Sequence, residues 1–88
     1  MIDTSPDSWR WEYTHQEIQF YAWRNAALMM CRISREAIEN RYGHAPTPTA
    51  HLQAARQHVD EIAERFDELL AQGRFEDDGS VLLRSSDW

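Results

Sequence analysis

Residues 18–33 read IQFYAWRNAALMMCRI, and the period of their apolar positions decides the fold. Ile18, Phe20 and Ala22 alternate with Gln19, Tyr21 and Trp23, the two-residue period of a strand. Arg24-Asn25 reads as a turn, because Asn tolerates the left-handed backbone. Leu28, Met30 and Arg32 then alternate with Met29, Cys31 and Ile33 in a returning strand. The competing reading is a single helix from Gln16 to Tyr42, supported by the helix formers Ala26, Ala27, Leu28 and Met29. β-Branched and aromatic residues crowd the first arm, which favours the hairpin.

Downstream of the hairpin the punctuation changes to that of helices. Ser34 is a good N-cap, Glu36 falls in the first turn, and Ile33 can staple onto Ile38. These signals predict a short helix from Arg35 to about Tyr42, stopped by Gly43. His44 to Thr49 (HAPTPT) is a linker whose prolines forbid helix continuation. Thr47 and Pro48 then read as N-cap and first helical position. Leu52, Ala55, Val59, Ile62, Phe66 and Leu69 recur at three- and four-residue steps, the stripe of an amphipathic helix. The spacing predicts one helix from about Pro48 to Gln72, roughly 37 Å long. Arg56–Asp60 and Glu61–Arg65 are spaced on it for i,i+4 pairing. Past Gly73, Asp78-Gly79 signals a turn and Val81-Leu82-Leu83 a short buried strand.

The order predicts an α+β fold: a small antiparallel sheet, formed by the N-terminal hairpin and the C-terminal strand, packed against one long amphipathic helix and one short helix. Its 88 residues are expected to make a single domain, with residues 1–8 as a flexible N-terminal arm. The run CRISREAIENRYG (Cys31 to Gly43) and the tail GRFEDDGSVLLRSSDW (Gly73 to Trp88) resemble a bacterial family of short proteins, domain of unknown function 1488. The resemblance runs from about Glu17 onward and supports the hairpin. It departs from the family pattern at the WRWEYTHQ entry and the HAPTPT linker. The family carries no assigned activity, so the resemblance implies a fold and no catalytic residue.

Composition narrows the function classes. The formal charge is −6, from 15 Asp plus Glu against nine basic residues, and every basic residue is Arg. Such a chain lacks the basic footprint that nucleic-acid phosphates demand, so direct nucleic-acid binding is not expected. Cys31 stands alone, and the N-terminal MIDTSPDSWRWE carries acids where a signal peptide needs positive charge. No stretch approaches the roughly 20 apolar residues of a membrane span. A cytoplasmic protein that does not enter membranes is expected.

The chemistry-bearing residues do not assemble into a catalytic pattern. His44, His51 and His58 recur every seven residues, roughly 10 Å apart where helical, whereas metal-binding pairs sit three or four apart. Cys31 in a strand suits a small buried hydrophobe better than an activated nucleophile. Three separated glycines make no phosphate-cradling loop. No enzyme, no cofactor and no metal site is expected.

Two interaction readings follow. The first is a non-enzymatic module that binds a protein partner through an aromatic surface built from Trp9, Trp11, Tyr13, Trp23 and Trp88, since Trp is favoured at interfaces. Self-association into a homodimer is a variant, because a small sheet leaves edges to cover. The second is an acidic inhibitor from phage or another mobile element, similar in kind to an anti-CRISPR protein. In it Asp60, Glu61, Glu64, Asp67 and Glu68 would imitate a line of phosphates for a nucleic-acid-handling complex.

Overall fold

The computed structural model describes residues 2–88. Four strands, β1 (Arg10–Glu12), β2 (Glu17–Arg24), β3 (Ala27–Ser34) and β4 (Val81–Leu83), form one sheet in the order β1-β2-β3-β4. Three helices, α1 (Arg35–Tyr42), α2 (Pro48–Gln57) and α3 (Val59–Ala71), connect β3 to β4. The hairpin is present where its alternation places it: Ile18, Phe20 and Ala22 face the core, and Ile18 pairs with Ile33 and Phe20 with Cys31. The turn falls one residue later than expected, at Asn25 and Ala26, both with positive φ (53° and 65°). This two-residue turn of mirror-image type matches the twist of the flanking strands.

The helix starts are written by their caps. Ser34 Oγ accepts from Ala37 N–H at 3.1 Å, and Thr47 Oγ1 accepts from Ala50 N–H at 3.1 Å. Each hydroxyl satisfies one of the backbone donors a helix start leaves open. Gly43, at φ 97°, lets the chain leave α1 through a conformation that side chains disfavour.

Two features of the expected architecture are corrected. The sheet is mixed: β1, β2 and β3 are antiparallel, but β4 runs parallel to β3, with Cys31 beside Val81 and Ile33 beside Leu83. The three helices serve as the long crossover that a parallel neighbour requires. The single long helix is two, broken at His58 (φ −123°, ψ 32°), whose N–H bonds the Ala55 carbonyl three residues back. Neither proline nor glycine causes the break. Packing does: the His58 ring stacks on Tyr42 of α1, 4.1 Å between centroids, while Arg56 donates to the Pro6 and Trp9 carbonyls. The change of direction lets α2 lie against β1 and α3 against the sheet. The intended i,i+4 pairs go elsewhere, Glu61 to Arg41 and Arg65 to Glu68.

All three helices lie on one side of the sheet. Phe20 sits at the centre of the core, stacked on Trp9 at 4.1 Å and edge-on to Phe66 of α3 at 5.5 Å. Of the segment expected as a loose arm, Met1 lies outside the described residues and the rest contributes to this core. Ile2 is buried, and Asp3 exchanges two backbone hydrogen bonds with Trp23 (2.8 and 2.9 Å). Thr4 Oγ1 donates to the Tyr21 carbonyl and accepts from the Trp9 indole, each at 3.0 Å. These bonds cover the edge of β2 where β1 has ended, as a sheet edge requires.

Candidate functional site

Among the described residues, no helix covers the outer face of the sheet. Strand alternation sends Gln19, Tyr21 and Trp23 of β2 and Leu28, Met30 and Arg32 of β3 to this side, as cross-strand neighbours. The face is divided in two. At the β1 end, Arg32 grips the Glu17 carboxylate with Nε and Nη2, the latter at 3.0 Å, and Gln19 donates to Glu17 at 2.8 Å. Glu17 and Gln19 are buried, so this end is a closed and internally neutralised network. The Glu17 hydrogen bond also pushes the Arg32 guanidinium further above its ordinary range. At the hairpin end the face is apolar and open: Tyr21, Trp23 and Leu28 are 49%, 51% and 54% exposed. Arg10 lies 5.9 Å above the Tyr21 ring, and Asp3 lies beside Tyr21 and Trp23.

A second concave feature lies on the other side of β1. A cleft of about 330 Å³ is lined by Trp11, Tyr13, Arg35, Glu39, the linker His44–Pro48 and His51. Glu39 is its organising group: its Oε1 lies 3.1 Å from His51 Nε2 and 3.4 Å from Arg35 Nε. His51 Nδ1 donates to the Thr47 carbonyl at 2.8 Å. With both nitrogens facing acceptors, the ring is locked and has no free nitrogen to serve as a base.

The aromatic residues expected to form one surface are distributed over four places. Trp9 is buried under Phe20 and unavailable, which corrects its assignment to the surface. Extended backbone just before β1 puts it on the same side as Trp11, and its indole bond to Thr4 holds it there. Trp11 lines the cleft, its ring 4.8 Å from His51, and Tyr13 stands 75% exposed beside it. Trp23 belongs to the open sheet face. Trp88 packs edge-on against Tyr42 at 5.3 Å, with Arg41 5.6 Å from its ring. Tyr21, Leu28 and Met30, which complete the open face, were absent from the expected set. The alternation that places Trp23 opposite Phe20 places them there too.

The expected acidic line is largely neutralised. Arg41 bonds Glu61 twice, at 3.0 and 3.1 Å, and Tyr42 Oη donates to it at 2.7 Å. These donors, Arg41 foremost, hold the Glu61 carboxyl down to about 2. Asp67 lies 3.5 Å from Arg24, and Arg65 donates to Glu68 at 2.6 Å. Among the described residues, Asp60 and Glu64 alone of the five form no ion pair. Burial pushes the Cys31 thiol up to about 12, the opposite of an activated nucleophile. Among the described residues no group of three His, Cys, Asp or Glu side chains is placed to hold a metal, and no helix is long and apolar enough to cross a membrane.

With the hairpin, the capped helix entry and the closing strand in place, residues 5–83 match the family model described as protein of unknown function DUF1488. The chain belongs to the DUF1488 family. A crystal structure of a DUF1488 protein of unknown function from Shewanella loihica PV-4, at 1.60 Å resolution, superposes with a TM-score of 0.82. The two share 19% identity over 93% of this chain and 90% of that one, a likeness that speaks for the fold alone. None of the curated proteins compared matches the chain.

Proposed function

We propose that this DUF1488 protein is a non-enzymatic interaction module that docks a protein partner through the hairpin end of its outer sheet face. The observation that carries the reading is the exposure there of Tyr21, Trp23 and Leu28 on a face without a covering helix. Half-exposed, these three side chains offer on the order of 300 Å² of mostly apolar surface, comparable to the largest patch on a typical monomer, which is often functional. The charges at this end are few and of both signs: Arg10 stands over the Tyr21 ring and Asp3 lies beside Trp23, while Arg24 points to the helix side and pairs with Asp67. A second copy of the chain is one partner that fits, giving a homodimer; cytoplasmic location and the absence of catalysis belong to the same reading.

Site-specific photocrosslinking in the expressing cells tests it. A crosslinker in place of Tyr21 should give discrete protein adducts, and one in place of Glu68 on α3 should give few. Adducts concentrated at Glu68 would instead favour the acidic, phage-inhibitor reading, which the ion pairs of Glu61, Asp67 and Glu68 weaken.

A further inference from the structure

The geometry points to the cleft between β1, α1 and α2 as a binding site for a carboxylate attached to a flat apolar body. This site is separate from the outer sheet face and does not depend on it. Its volume of about 330 Å³ lies at the small end of ligand sites, which are mostly apolar with a few convergent polar groups. Trp11, Tyr13, Pro46 and Pro48 supply the apolar walls. Tyr13 is 75% exposed, a large ring standing free beside the opening.

The charge distribution selects the ligand. Among 15 acids on the chain, Glu39 is the one carboxylate in the lining, and it is turned onto His51 at 3.1 Å and Arg35 at 3.4 Å. Around it stand Arg35, His44 and His51, so in this cleft a guanidinium and two imidazoles surround a single carboxylate. Arg35 is held in place: Nε faces Glu39 and Nη1 donates to Gln16 at 2.9 Å. Those bonds leave Nη2 uncommitted, and the side chain is half exposed. A positioned guanidinium loses little freedom on meeting a carboxylate. His44, four-fifths exposed on the linker and 3.9 Å from Glu39, stands within reach of the same group. A ligand carboxylate would lie on Arg35 and His44, with its flat body between Tyr13, Trp11 and the two prolines.

That chemistry has two sources, a free aromatic acid or the C-terminal carboxylate of a peptide ending in an aromatic residue. Amide-resolved NMR titration separates them, using phenylacetate and phenylacetamide in one arm, and a short peptide ending in Phe as free acid or amide in the other. The expected result is saturable shifts confined to Trp11, Tyr13, Arg35 and His44 with the acids of at least one arm, and none with the amides. Arg35→Gln should weaken binding about tenfold, and Arg35→Lys should restore part of it. Both variants lie on the surface, and their unshifted spectra elsewhere report an intact fold. Trp23→Ser, on the outer face, should bind as the wild type does. Equal response to acid and amide, undiminished binding by Arg35→Gln, or no saturation by about 10 mM in either arm would overturn the assignment.

Discussion

At φ 65° in the hairpin turn, Ala26 holds its Cβ close to the following carbonyl, a conformation that costs a non-glycine residue roughly 1–2 kcal/mol. Asn25 before it tolerates the same region far better. Ala26→Gly removes the clash while adding unfolded-state freedom, so a net stabilisation of about 0.5–1 kcal/mol is expected. Denaturant midpoints of the two proteins check it, and a destabilised glycine variant would mean the turn is not of this type. Single residues also mark where sequence patterns reach and where they stop. Trp23 alternates with Phe20 across the strand, so the period alone puts the two on opposite faces. Trp9 stands in extended backbone (φ −65°, ψ 136°) just before β1, two residues from Trp11 and on the same side of the chain. Its burial depends on Thr4 and Phe20, one near in sequence and one eleven residues away, and only the assembled fold brings them together.

At the scale of elements, capped boundaries were legible and relations between elements were not. Ser34, Gly43, Thr47 and Pro48 are short-range signals that act on their own backbone, and each marks the boundary it predicts. The direction of β4 has no local signature, since Val81-Leu82-Leu83 reads the same in either sense. Nor does the break at His58, where an unbroken apolar stripe runs through a residue that stacks on Tyr42, next to Arg56 bonded to the N-terminal segment. α1 and α3 are tied by the contacts of Arg41 and Tyr42 with Glu61, and this tie is pH-dependent. Glu61 titrates at about 2 when folded, against an ordinary 4.5 when unfolded. A depressed folded value means the contribution is complete above about 4.5 and is lost as pH falls toward 2. Tyr42, pushed up by burial and by its bond to Glu61, stays protonated through that window and remains a donor. Glu61→Gln is expected to be less stable than the wild type at pH 7 and to lose less between pH 4.5 and 2. Urea midpoints across that range measure it; parallel pH profiles would show that the tie carries no stability. Glu12, held at about 2 chiefly by the His15 backbone N–H, contributes in the same window and is common to both proteins.

Across the whole molecule, the asymmetry of the sheet is the central feature. One face is sealed by three helices around Phe20 and Phe66, and the other is left to a buried ion pair at one end and three half-exposed apolar side chains at the other. The α+β class and the pairing of β2 with β3 followed from period and punctuation in residues 18–33. Which face would stay open did not, because the crossover that carries all three helices to one side is a property of topology and not of any segment. The acidic composition pointed toward α3 as a functional face, yet composition counts charges without their partners, and Arg24, Arg41 and Arg65 engage three of the five acids. The most direct test is tagged capture from the expressing cells at low and high salt, comparing the wild type with the paired variant Trp23→Ser, Leu28→Ser. Both substitutions are at exposed positions, and circular dichroism confirms that the variant folds. A protein, or a second copy of the chain, retained at high salt by the wild type and lost by the variant is the predicted result. Capture that the variant retains undiminished, or that salt alone abolishes, would contradict the outer sheet face as the docking surface.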